Sequence, residues 1–143
     1  MMDKEKEMVR IIEKLTRAMG KIEDEALSTG ELSQLSVRQI YYLDIINKLD
    51  NPTVSDLARE LNVTKPTVTI AVNHLIDKGL IHKEQSQEDK RVFFLYPTEK
   101  GERISAAHNK AHEDFVMHLI SKLSPEETKQ FVRIFSKILD VEL

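Results

Sequence analysis

Apolar residues recur at helical spacing along most of the chain and at strand spacing in one region only. Residues 3–27 read as one helix, with Met8, Ile11, Ile12, Leu15, Met19, Ile22 and Ala26 on a narrow stripe. A stripe at a chain end must pack on something, either the domain's own core or a partner subunit. Residues 28–35 read as a loop. Ser36 then caps a helix, with Gln39 completing a capping box. Its wide apolar surface (Val37, Ile40, Tyr41, Leu43, Ile46, Leu49) predicts a central helix touched on two sides. Asp50-Asn51-Pro52 ends it. Further on, Leu80–Gln85 and Arg91–Tyr96 are strand candidates around a polar tip at 86–90. Thr98 opens a long helix to about Lys122, with Ile104, Ala107, Ala111, Phe115 and Leu119 as its stripe. Ser124-Pro125-Glu126-Glu127 starts a last helix carrying Phe131, Ile134, Phe135, Ile138 and Leu139.

The stretch Thr53–Lys78 organises the rest. Val54, Leu57, Ala58 and Leu61 share one helical face. Thr53 caps that helix with Asp56, and Asn62 supplies a residue tolerant of left-handed backbone where the helix ends. Val63 plugs the corner. Thr64 then starts a second helix with Pro66 in its first turn, burying Val68, Ala71, Val72 and Leu75 and ending at Gly79. Two helices cross steeply over so short a turn only where the contact residue is small, and Ala58 is that residue. The register of Ala58, Asn62 and Val68 predicts a helix-turn-helix; a purely structural helix pair is the alternative. The hairpin directly after it, with Lys90 and Arg91 at its tip, reads as a wing; an ordinary core-capping hairpin would share the pattern.

Composition narrows the classes. The 143 residues suit one domain with helical extensions, and 31% charged with 41% hydrophobic residues describes a globular chain. The net charge of −3 offers no global basic field, so nucleic-acid binding would rest on a local patch. The absence of Cys excludes disulfides, thiolate metal sites and thiol redox switching. The charged start MMDKEKEMVR is unlike a signal peptide, and a cytoplasmic location is the expectation. P-loop, Gly-rich phosphate cradle and HExxH patterns are absent, which argues against an enzyme, and no cofactor is expected. His108 and His112 lie four apart on a helix, a spacing that suits a metal. A third ligand does not follow at obvious spacing: Glu113 points elsewhere and His118 is about 80° away at 100° per residue. Solvated or interface histidines are therefore the expectation, and no metal site.

Taken together the chain resembles a MarR-family transcriptional regulator. The matching residues are Leu35-Ser36-Val37-Arg38-Gln39, Val54-Ser55-Asp56-Leu57-Ala58, Thr67-Val68-Thr69, Leu75, Lys78-Gly79-Leu80-Ile81, Asp89-Lys90-Arg91, Leu95, Thr98 and Gly101. They span nearly the whole chain in the family's order. Residues 36–101 also look somewhat like the fatty-acid-synthesis repressors of that family. The resemblance implies a mainly α (α+β) fold: an N-terminal dimerisation helix (1–34), a winged helix-turn-helix lobe (35–97) and C-terminal dimerisation helices (98–143). It implies a homodimeric regulator of double-stranded DNA, repressing from a pseudo-palindromic operator. A winged-helix protein-interaction module without DNA binding is the alternative.

The second motif helix should then lie in a major groove. From Val68, helical rotation turns Pro66, Thr69, Ile70, Asn73 and His74 outward, with Lys65 and Thr67 at the helix start. Thr methyls and Ile70 suit thymine methyls, and Asn73 suits adenine. Lys65 suits phosphate, as do Thr53 and Ser55. For Asn73 and His74 a plain solvated face is the competing reading. In the wing, Lys90 and Arg91 face DNA and, by resemblance, Asp89 directs Arg91. The charge balance from Thr64 to Arg91 is only +1, which predicts few phosphate contacts. By resemblance too, a small aromatic or anionic effector binds between bundle and lobe. Arg38, Tyr41 and Tyr42 are its candidate contacts, though packing explains the tyrosines as well.

Overall fold

A computed structural model describes residues 2–28 and 30–141. Thr29 of the expected loop lies outside the described residues, as do the terminal positions Met1, Glu142 and Leu143. The helices are α1 (Asp3–Leu27), α2 (Val37–Lys48), α3 (Val54–Leu61), α4 (Lys65–Asp77), α5 (Glu99–Ser121) and α6 (Pro125–Leu139). A two-stranded antiparallel sheet, β1 (Ile81–Gln85) and β2 (Phe93–Pro97), stands between α4 and α5. The segment expected as plain loop contains a 3-10 turn at Gly30–Gln34 that buries Leu32, and Leu35 follows it into the core.

Short-range chemistry sets most boundaries. Ser36 and Gln39 cap α2 reciprocally, as do Thr53 and Asp56 for α3 and Ser124 and Glu127 for α6. Thr64 and Thr98 accept backbone N–H bonds at the starts of α4 and α5. The strands sit slightly later than their hydrophobicity suggested, because Arg91 and Val92 belong to the tip: Val92 N–H donates to the Asp89 carbonyl over 2.9 Å.

The core gathers Ile40, Leu43 and Ile46 of α2, Leu57 of α3, Val68, Val72 and Leu75 of α4, Leu80, Ile81, Leu95 and Ile104. As expected, α2 is central, touching α4, α5 and β2. Its outer residues Val37 and Tyr41 are nevertheless about half exposed, so the wide apolar surface is only partly used within one chain. Where α5 meets β1, Gly101 packs against the Leu80 carbonyl so closely that any Cβ would collide with it.

The inner face of α5 keeps Ile104, Ala111, Phe115 and Leu119 of the expected stripe buried or half-buried and corrects one member: Ala107 is exposed, and Ser105, His108 and His112 turn inward beside the stripe. The reason is a polar partner on α2. Asp44, buried, accepts from the Ser105 hydroxyl (2.9 Å) and lies 2.9 Å from His108 Nδ1, while Asn47 donates to Ser105 over 2.5 Å. Four polar side chains thus satisfy one another where apolar packing was expected.

The arms behave oppositely to the lobe. None of the described residues of α1 or α6 is buried. Met8, Ile11 and Ile12 on α1, Met117 on α5, and Ile134, Ile138 and Leu139 on α6 stand between 48% and 65% exposed. Among the described residues no helix is long and apolar enough to cross a membrane.

Candidate nucleic-acid interface

The corner between α3 and α4 has the expected construction. Asn62 adopts φ 51°, ψ 48°, and its N–H returns to the last turn of α3. Val63 N–H donates to the Ala58 carbonyl over 3.0 Å, which tightens the exit. Ala58 is 7% exposed and Val68 fully buried, and α3 packs on α4, as a steep crossing over a small residue requires.

This crossing fixes which side of α4 faces out. With Val68, Val72 and Leu75 buried, Thr69, Asn73 and His74 are exposed, and Ile70 is 60% exposed. A large aliphatic side chain so open, with exposed Thr69 and Asn73 beside it, is left uncovered by the chain's own core. Lys65 and Pro66 are exposed at the helix start. Thr67 is half-buried, its hydroxyl 2.9 Å from that of Thr64, so it helps to cap α4. Thr53 and Ser55, both half-buried, sit at the start of α3. The Thr53 hydroxyl accepts from Asp56 N–H and also bonds the Asp56 carboxylate, so it serves the cap first.

The wing is tied to the same region. Beyond the β1–β2 ladder, which pairs Ile81 with Pro97 through Gln85 with Phe93, Thr53 bridges to Phe94 and Leu95 N–H donates to the Pro52 carbonyl. The residues preceding α3 therefore act as a third, partial strand. At the tip, Ser86 N–H donates to Val92 and Gln85 Nε2 to the Lys90 carbonyl. Arg91 projects with 90% of its side chain exposed. Its Nε and Nη2 donate to the two Asp89 oxygens, each over 3.1 Å, and its N–H donates to Oδ1 over 3.0 Å. The Arg91 side chain, and then its backbone N–H, hold the Asp89 carboxyl below its ordinary value. Lys90 is exposed beside it.

Two lysines counted in the local charge are committed elsewhere. Lys78 Nζ donates to the Gln34 carbonyl and to Gln39 Oε1, pinning the 3-10 turn to α4. Lys83 lies 5.0 Å from the Phe93 ring centre. Lys65, Lys90 and Arg91 remain as the outward cations of the predicted set.

The three predicted effector contacts separate. Arg38 and Tyr42 line a groove of about 310 Å³ between the start of α2 and α4, together with Thr67, Ile70, Ala71 and His74. Tyr41 is 53% exposed and does not line it. Sequence reading missed that this groove shares Ile70 and His74 with the outer face of α4, since no short spacing links α2 to α4.

The assembly is a winged helix-turn-helix lobe carried between helical arms, a DNA-binding class of fold. A model of the MarR family matches residues 35–93. Over 94% of this chain and 99% of its own, Streptococcus pneumoniae FabT, solved in complex with DNA, is 31% identical, with a TM-score of 0.76. The HTH-type transcriptional regulator BilQ of Clostridioides difficile is 29% identical over 102 residues, 71% of this chain and 69% of BilQ. The HTH-type transcriptional repressor MdtR of Bacillus subtilis is 26% identical over 118 residues, 82% of this chain and 76% of MdtR. The chain belongs to the MarR family of DNA-binding transcription regulators.

Proposed function

We propose that the protein is a homodimeric, sequence-specific repressor whose α4 helices enter successive major grooves of a pseudo-palindromic operator. The observation that carries this reading is the sidedness of α4: one face closed by the core, the other offering Thr69, Ile70, Asn73 and His74 to solvent. Half-sites then lie about one helical turn, roughly 34 Å, apart. The uncovered apolar faces of α1 and α6 support a shared bundle between two chains. The name of MdtR as a repressor, and the DNA in the FabT complex, agree with it.

Effector response fits the groove beside Arg38 and Tyr42. An anionic aromatic there would meet the Arg38 guanidinium and touch Ile70 and His74, so that it and DNA compete for one surface.

The test is selection of bound fragments from genomic DNA with the untagged protein, followed by anisotropy titration and sedimentation analysis. One enriched inverted repeat bound by a dimer is expected. Enrichment of no motif, or a strictly monomeric chain, would overturn the reading and favour a protein-interaction module.

A further inference from the structure

We propose that Glu23, His108 and His112 form a binding site for a zinc-class divalent cation, joining α1 to α5, with Asp44 of α2 as the positioning residue. The spacing along α5 supplies two imidazoles, and the fold supplies the third donor from α1. One ligand atom from each of the three side chains lies within 4.8 Å of the others. A tetrahedral site with bonds of about 2.0–2.2 Å brings such atoms to roughly 3.4 Å, a change within reach of small side-chain rotations.

Three details favour an ion over a chance cluster. First, His112 Nε2 is buried from solvent and has no hydrogen-bond partner, although an edge of its ring is exposed. The Glu23 carboxylate facing it is 3.6 Å away, too far for a hydrogen bond. A buried polar atom in that state needs a partner. Second, Asp44 holds His108 through Nδ1, which leaves Nε2 as the nitrogen free to ligate. Asp44 is itself fixed by Ser105, so the ring is oriented by a carboxylate, the arrangement that commonly supports metal-bound histidine. Third, the two rings meet edge-on, 4.6 Å between centres and 63° apart, which converges them instead of stacking them. Two nitrogen donors and one carboxylate select zinc-class ions over magnesium or calcium, and a water completes the fourth position.

The site stands apart from the DNA-facing surface, so its test is independent of the operator. Untagged, metal-stripped full-length protein is titrated with zinc against a chromophoric chelator, and with cobalt(II) for its tetrahedral visible band. One ion per chain is expected, together with a zinc-dependent rise in Tm. His112→Gln and Glu23→Gln, at partly exposed positions, are expected to keep the apo Tm, weaken binding at least about 10-fold and lose the cobalt band. Asp44→Asn is expected to weaken it about 10–100-fold while retaining the stoichiometry. Absence of stoichiometric binding, or wild-type affinity in His112→Gln and Glu23→Gln, would overturn the site.

Discussion

The Asp89 carboxylate grips the Arg91 guanidinium in a two-pronged bond, 3.1 Å on each side, at the open end of the wing. Both partners are solvated, so the pair contributes direction and little stability. Arg91→Ala should lower DNA affinity and reduce the salt slope by about 0.9 per lobe for one lost phosphate contact. Asp89→Ala should weaken binding less, without changing Tm. Salt-series anisotropy and thermal melts measure both.

Asn73 tests base reading on α4. Its side chain is exposed, so Asn73→Ala should leave Tm unchanged. It should cost about 1–3 kcal/mol of operator binding per half-site and relax preference at one base pair. Equal affinity for operators varied at every position would show that Asn73 meets solvent alone.

Gly101 tests the joint between lobe and arm. In an open helix, Gly→Ala stabilises by about 1 kcal/mol. Here the new methyl would collide with the Leu80 carbonyl. Overpacking of this kind costs about 1–3 kcal/mol, which outweighs the propensity gain. Net destabilisation in urea denaturation is therefore expected for Gly101→Ala.

Asp56 gives a pH dependence. Its carboxyl is held below the ordinary value chiefly by the Thr53 backbone N–H, then by the Thr53 hydroxyl contact and the Arg59 charge, against desolvation. A depressed folded-state pKa stabilises above the unfolded value and stops doing so as pH falls through the folded one. The Tm gap between wild type and Asp56→Ala should be constant near neutrality and close below about pH 4. Thr53→Ala, which removes the other half of the cap, should cost about 1 kcal/mol.

Local chemistry made much of this protein legible in its sequence. Helix starts are written in pairs three residues apart, such as Ser36–Gln39 and Ser124–Glu127, and both close as expected. The corner from Ala58 through Asn62 to Val68 is likewise decided within eleven residues, because the turn, the small contact and the buried face obey helix geometry alone.

Other features needed the third dimension. Periodicity ranked Ala107 above His108 as the inward residue of α5, since hydrophobicity sees no partner 64 positions away; Asp44 reversed the order. The histidines, expected in solvent or at an interface, lie within 4.8 Å of Glu23, which no spacing along α5 could supply. Hydrophobic patterning and caps depend on neighbours within a few residues, so the amino-acid order determined the elements, their ends and the outward face of α4. Which polar groups meet between α1, α2 and α5, and which groove shares residues with α4, depended on chain segments brought together by core packing, and only the tertiary structure decided them.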